Sequence, residues 1–179
     1  VRTFSKSRNM AGTHIGFAVA SKEIIEDMNK IKFSFNPFNL NSVTMAAGIA
    51  AVKDTEYLHH CVDRIVKNRE QFKTDLEQLG FHVVPSKANF VFCYHDAITS
   101  DVLCDKLKEE GILTRHFADE KLTRYLRITI GTEQEMAVVL IAIREILEEQ
   151  LGLQQEKERA GVCHEKENFN MRLSKCAGM

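Results

Sequence analysis

The chain has 179 residues, 44% of them hydrophobic, enough to bury a core as one domain or two small ones. Lys+Arg 24 against Asp+Glu 25 leaves a net charge of -1, without the basic excess that a nucleic-acid-binding surface carries. The longest apolar runs, Met45–Val52 and Met136–Ile143, are eight residues each against the about 20 needed for a membrane-spanning helix, so no segment reads as crossing a bilayer.

In chain order, a small-residue stretch, Ala11-Gly12-Thr13-His14-Ile15-Gly16, leads into the strand-like Phe17-Ala18-Val19-Ala20. Ser21 is placed to cap a helix through about Lys32, with Ile24, Ile25 and Met28 on one face. Phe33–Asn41 reads as a loop, marked by Asn36-Pro37 and its asparagines. The tract from Asn41 to Leu79 is helical and predicts two helices meeting near Lys53-Asp54-Thr55. In the second, Leu58, Cys61, Val62, Ile65, Phe72, Leu76 and Leu79 follow helical spacing, and Gly80 is the expected stop.

From Phe81 the period changes from 3.6 to 2. Phe81–Val84 and Asn89–Tyr94 read as strands around Pro85-Ser86-Lys87, and Thr99 or Ser100 opens a helix that ends at Gly111. Ile112–His116 and Tyr125–Ile130 read as two more strands. Thr132 with Glu135 forms a capping box, and its helix is expected to bury Met136, Val139, Leu140, Ile143 and Leu147. The order β-β-α-β-β-α describes a small α+β unit. From about Gln154 the sequence is polar and aperiodic, with Glu156-Lys157-Glu158-Arg159 and Glu165-Lys166-Glu167, which reads as a disordered tail.

Five cysteines (Cys61, Cys93, Cys104, Cys163, Cys176) are widely spaced without a CxxC pair, giving the expectation of reduced thiols with no zinc site and no disulfide framework. His59, His60 and Cys61 are consecutive on a helix and point in different directions, so they do not share a metal. His82, His95 and His116 lie in or beside strands, where packing roles are expected. No charged-then-apolar leader is seen, and the expected location is cytoplasmic. Val1 in place of an initiating Met, with a catalytic-type motif inside the first ten residues, gives the expectation of a piece of a longer polypeptide.

That motif is Arg2-Thr3-Phe4-Ser5-Lys6-Ser7, followed by Met10-Ala11-Gly12 and Gly16-Phe17. It resembles the cofactor-lysine segment of fold-type I pyridoxal-phosphate-dependent aminotransferases, most closely the histidinol-phosphate aminotransferases. Three further blocks follow in the family's order: Pro85-Ser86-Lys87-Ala88-Asn89-Phe90, Gly111-Ile112-Leu113-Thr114-Arg115, and Tyr125-Leu126-Arg127-Ile128-Thr129-Ile130-Gly131-Thr132. The resemblance covers residues 1 to about 150 and is similar to the C-terminal half of the family. It implies an α/β architecture: the end of a large cofactor-binding domain over 1–52, a connecting helix over 53–80, and a small C-terminal α+β domain over 81–152 ahead of the tail 153–179.

The resemblance implies that Lys6 holds pyridoxal 5'-phosphate as a Schiff base and then moves a proton at the substrate α-carbon. A lysine suits both tasks, because its compact ammonium shifts its pKa readily and the cofactor ring serves as the electron sink. Ser5 inherits a role on the cofactor phosphate. Between Gly12 and Gly16 the resemblance places a phosphate-binding arginine, and here the residue is His14, which offers one donor in that direction in place of the arginine's fork. Phosphate affinity is expected to fall unless Arg2 or Arg8 compensates.

Arg127 alternates with Leu126 and Ile128 and leaves its strand opposite the aliphatic face, where it can grip an oxyanion with parallel hydrogen bonds. The resemblance makes it a substrate-binding residue, with Arg115 as a second clamp. The implied reaction is transamination of histidinol phosphate with 2-oxoglutarate in histidine biosynthesis. The alternatives are another class I/II aminotransferase, the related O-phospho-threonine decarboxylase, or a non-catalytic truncated remnant. The implied partners are a small-molecule amino donor, a 2-oxo acid and, for the intact enzyme, a second copy of the chain. In the family, the acid on the pyridine nitrogen, the ring-stacking aromatic and the glycine-rich phosphate cradle precede the lysine. The polypeptide alone is therefore expected to bind the cofactor poorly and to turn over little.

Overall fold

The computed structural model describes residues 1–152. Its elements are mixed α/β and fall into two compact units, Val1–Arg64 and a second beginning at Ile65, with the division inside a single helix. The polar segment expected to be disordered lies outside the described residues.

In the first unit, β1 (Arg2–Thr3) and β2 (Gly16–Phe17) pair antiparallel, with Arg2 opposite Phe17 and Thr3 opposite Gly16. Three helices follow: α1 (Lys22–Phe35), α2 (Ser42–Lys53) and α3 (Thr55–Gln78), the last of which crosses into the second unit. The Asn41 side chain caps α2 by accepting from the Thr44 N–H at 2.8 Å, and Asp54 accepts from the Tyr57 N–H at the start of α3 at 3.1 Å. These two polar caps explain why one helical tract breaks at residue 54.

The buried part of this unit is small: Phe4 and Ile15 pack against Gly48 of α2. A Cβ at position 48 would lie 2.9 Å from Ile15 Cδ1, so only glycine lets α2 approach the strand pair this closely.

Two expectations are corrected here. The strand at 17–20 is limited to Gly16–Phe17. Helix α1 continues to Phe35, shortening the loop expected from Phe33, and the Ser21 side chain makes no capping hydrogen bond. The face of Ile24, Ile25 and Met28 is not buried, with Ile24 54% and Met28 45% exposed. Helical spacing predicts which residues share a face, and burial further requires an element to cover that face.

The second unit holds the main core. Strands β3 (His82–Val84), β4 (Phe90–Tyr94), β5 (Arg115–His116) and β6 (Leu126–Thr129) form an antiparallel sheet in the order β3-β4-β6-β5. Helix α4 (Ser100–Glu109) lies between β4 and β5 in sequence, and α5 runs over 133–152. One face of the sheet carries Val91, Cys93, Leu126 and Ile128, buried with Phe72 and Leu76 of α3, Leu103 and Leu107 of α4, and Ile143 and Leu147 of α5. Burial of each such aliphatic or aromatic side chain contributes about 1.5–3 kcal/mol.

Gly80 ends α3 with φ 87°, the left-handed geometry a helix stop needs. The capping box forms as the spacing requires: the Thr132 N–H donates to Glu135 Oε2 at 2.7 Å, and the Glu135 N–H returns to Thr132 Oγ1 at 3.3 Å. Two strands are shorter than alternation predicts. Expected over 112–116 and 125–130, they pair only at Arg115–His116 and Leu126–Thr129. On α3, Val62 is 41% exposed, although it keeps the spacing of the buried residues.

Candidate functional site

Lys6 lies in a tight turn immediately after the buried Phe4. The Phe4 carbonyl accepts from the N–H groups of both Arg8 and Met10 at 3.2 Å, and the Asn9 N–H closes on the Lys6 carbonyl at 3.2 Å. Phe4 is held in turn by its N–H bond to the Ile15 carbonyl at 3.0 Å and by an edge-on contact with Phe17. The backbone carrying Lys6 is therefore fixed on both sides, while its side chain is exposed.

The turn is lined with hydroxyls. Thr3 Oγ1 donates to Ser5 Oγ at 2.9 Å and accepts from the Ser5 N–H at 3.1 Å. Ser5 is half-buried and next to Lys6, so its hydroxyl is oriented by a neighbour that sequence reasoning did not single out. His14 sits at the end of a 3-10 turn (Ala11–Thr13) with φ 53°, a left-handed position that histidine tolerates better than most side chains. An open concavity of about 600 Å³ lies beside the lysine, lined by Lys6, Ser7, Arg2, Arg8, Phe17 and Val52 among others. Ser5 and His14 are not part of that lining, whereas both Arg2 and Arg8 are. Arg8 is also anchored: its NH1 donates to the Asp54 carbonyl at 2.9 Å, a contact across 46 residues that no local pattern reveals.

Arg115 and Arg127 belong to the second unit. They are register partners across β5 and β6, so two cations face each other on the outer side of the sheet. Phe92 of β4 is the next residue in the same row, opposite Arg127, with Val84 of β3 beyond it. As the alternation predicts, Leu126 and Ile128 point into the core while Arg127 leaves on the other face.

Among the described residues neither arginine has an acidic partner, and the buried Nε of Arg127 has no hydrogen-bond acceptor. Like charges opposite one another weaken a strand pair, and a buried donor left unpaired costs about 1–3 kcal/mol. An anion bridging the pair relieves both penalties. A second concavity of about 470 Å³ adjoins Arg127, lined by Phe90, Phe92, Phe117, Leu122, Pro85 and Lys87 among others. Phe90 and Phe92 were legible in the period-2 pattern of β4; Phe117 lies just past β5, where no period marks it.

Three histidines of the second unit, His82, His95 and His116, take structural partners. His82 Nε2 is 2.8 Å from Asp96 Oδ2, His95 Nε2 is 3.2 Å from the Leu79 carbonyl and His116 Nε2 is 2.8 Å from the Thr123 carbonyl. Asp96 also receives Arg124 NH2 at 2.9 Å, and these contacts, the His82 hydrogen bond first, hold its carboxyl below the usual range. Among the described residues no group of three or more His, Cys, Asp or Glu side chains is placed to hold a metal ion, and no helix is long and apolar enough to cross a membrane.

A sequence profile of the family described as aminotransferase class I and II matches residues 1–143, from the lysine turn into α5. The chain belongs to this aminotransferase family. It is 42% identical over 147 residues to the histidinol-phosphate aminotransferase of Brachyspira hyodysenteriae, covering 82% of this chain and 42% of that protein. The histidinol-phosphate aminotransferase of Chromohalobacter salexigens is 44% identical over 144 residues, covering 80% and 41%. Among solved structures, the histidinol-phosphate aminotransferase of Sinorhizobium meliloti in complex with pyridoxal-5'-phosphate superposes with a TM-score of 0.71 at 29% identity, over 81% of this chain and 40% of that one. The chain thus spans about 42% of the length of the curated aminotransferases it matches.

Proposed function

We propose that this chain is the lysine-bearing and anion-binding portion of a pyridoxal-phosphate-dependent aminotransferase acting on histidinol phosphate with 2-oxoglutarate. The observation that carries the substrate reading is the pair Arg115–Arg127, two facing guanidinium groups without an acid among the described residues. A dianionic phosphoryl group answers both arginines, and the carboxylate of a 2-oxo acid answers them in the second half-reaction. In this reading 1–52 closes the large domain, 53–80 connects, and 81–152 is the small C-terminal domain. The intact enzyme works as a homodimer in the cytoplasm.

The residues of the first unit fit the cofactor. Lys6 is a primary amine on a fixed turn with an exposed side chain, beside an open concavity and next to an oriented Ser5 hydroxyl. Lys6 would hold pyridoxal 5'-phosphate covalently, and Ser5 and His14 would meet its phosphate. When bound, the cofactor supplies the electron sink for a carbanion at the substrate α-carbon. Lys6 carries the proton to and from that carbon, and the rigid Phe4 anchor keeps the amine in register while it does so. Arg2 and Arg8, both lining the lysine concavity, add positive charge beside Lys6. Arg115 and Arg127 would bind an anionic group of the substrate.

The test joins this chain to the part of the Brachyspira hyodysenteriae relative that lies ahead of the matched segment. Glutamate should form only when both histidinol phosphate and 2-oxoglutarate are present. Lys6→Ala should abolish it, and Arg127→Gln should raise the KM for histidinol phosphate at least tenfold. Turnover that survives Lys6→Ala, or equal turnover of histidinol and histidinol phosphate, would defeat the reading.

A further inference from the structure

Phe117 is touched by both arginines of the facing pair. The Arg115 guanidinium carbon lies 5.5 Å from its ring centroid and that of Arg127 lies 5.9 Å away. Arg127 is flanked on another side by Phe90, with its guanidinium carbon 5.4 Å from that ring. Phe117 is braced edge-on against Phe92 at 5.9 Å, and Phe92 stacks on Tyr125 at 4.6 Å with 13° between the planes.

The loop that carries Phe117 is closed at its base. His116 Nε2 is 2.8 Å from the Thr123 carbonyl, and the Asp119 carbonyl accepts from the N–H groups of Leu122 and Thr123 at 2.8 Å. Ser100 Oγ donates to the Arg124 carbonyl at 2.6 Å. A ring so constrained is a fixed element of the site, and its negative face attracts cations.

We infer that Phe117 is a positioning residue that acts through Arg115 and Arg127, its ring offsetting their mutual repulsion and holding both guanidinium groups ready for one shared anion. The inference rests on the reading of that pair as the anion-binding site. The charges stand in adjacent strands at register, where they would otherwise drive their long side chains apart. A ring contacted by both lowers that cost before any ligand arrives, so less ordering remains to be done when the anion binds. Phe90 performs the same service for Arg127 alone.

The experiment titrates the full chain with inorganic phosphate and follows the side-chain Nε–H resonances of Arg115 and Arg127 by NMR. Wild type should show both resonances moving along one saturation curve, and Arg127→Gln should abolish the response of Arg115. Phe117→Leu keeps an apolar side chain and loses the ring face, so phosphate binding should weaken about fivefold. In its background the two arginines should act independently in a double-mutant cycle, which a merely structural role would not produce. Progressively fluorinated phenylalanine at 117 preserves shape while draining the ring face; affinity should fall with each step, and this series decides the matter if Phe117→Leu does not fold. Wild-type affinity throughout the fluorinated series, with Arg127→Gln still abolishing the Arg115 response, overturns the role of Phe117 and leaves the anion site standing. Failure of wild type to bind phosphate overturns the anion site and this inference together.

Discussion

Arg8 reaches from the lysine turn to the end of α2, where its NH1 donates to the Asp54 carbonyl at 2.9 Å. The carbonyl belongs to the residue that separates α2 from α3, so one guanidinium ties the turn carrying Lys6 to the break between two helices. Replacing Arg8 by Ala should cost about 1 kcal/mol of stability and increase hydrogen exchange at the N–H groups of Arg8, Asn9 and Met10. Arg8→Lys should recover only part of this, because an ammonium lacks the fork that reaches the carbonyl while presenting charge to the concavity. Exchange rates at 8–10 unchanged in Arg8→Ala would remove the tether from the account.

The Thr132–Glu135 box starts α5 and is sensitive to acid. The Glu135 carboxylate accepts from the Thr132 N–H at 2.7 Å and from the Thr132 hydroxyl at 2.9 Å, and these bonds, the backbone one first, hold its pKa below the ordinary value. A depressed carboxyl contributes stability above its unfolded pKa and loses it as pH falls through the folded value. Glu135→Gln should therefore flatten the acid limb of the stability profile below about pH 4.5, while Thr132→Ala should cost about 1 kcal/mol at neutral pH. Denaturant unfolding across that range checks both.

Much of this fold was readable in the sequence wherever a local rule governed it. The box at Thr132, the stop at Gly80 and the outward turn of Arg127 each depend on residues within a few positions of one another, and each appears where the spacing puts it. What the pattern leaves open depends on contacts made elsewhere in the chain. The face of α1 has the helical spacing of a buried stripe, yet Ile24 and Met28 are exposed because no described element packs over them. Strand β5 shrank to Arg115–His116 because pairing, not alternation, ends a strand, and only β6 pairs with it. The candidate residues divide in the same way within each unit: Lys6, Ser5 and His14 in the first and Arg115 and Arg127 in the second came from motif, whereas the contacts of Arg8 with Asp54 and of Phe117 with two arginines did not.

Arg69 is a buried cation in α3, 8% exposed, whose guanidinium spends every nitrogen. Its NH1 donates to the Ala88 carbonyl at 3.0 Å, and Nε and NH2 both reach Glu70 Oε1, at 3.0 and 2.7 Å. Glu70 is half outside, so the link to the Ala88 carbonyl, which holds the chain just ahead of β4, is the part with structural consequence. Arg69→Ala should destabilise the second unit by about 3 kcal/mol, and Glu70→Ala by less than about 1 kcal/mol. If the two variants cost the same in urea unfolding, the ion pair and not the carbonyl bond carries the stability.

Cys93 lies on the core face of β4, fully buried, and burial pushes its thiol up to about 12. The thiolate would have to form among Val91, Leu126 and their apolar neighbours, and this burial keeps the thiol neutral in the folded protein. A free thiol in the unfolded chain ionises near pH 8.5. Between that value and about 12 the unfolded state holds fewer protons than the folded one, so stability falls as pH rises through this window. Iodoacetamide at pH 8.5 should alkylate the half-buried Cys61 and leave Cys93 untouched until the protein is denatured. Cys93→Ala should lessen the alkaline loss of stability while lowering stability at neutral pH through the space it leaves. Labelling of native Cys93 at a rate close to that of Cys61 would mean that this core opens locally without global unfolding.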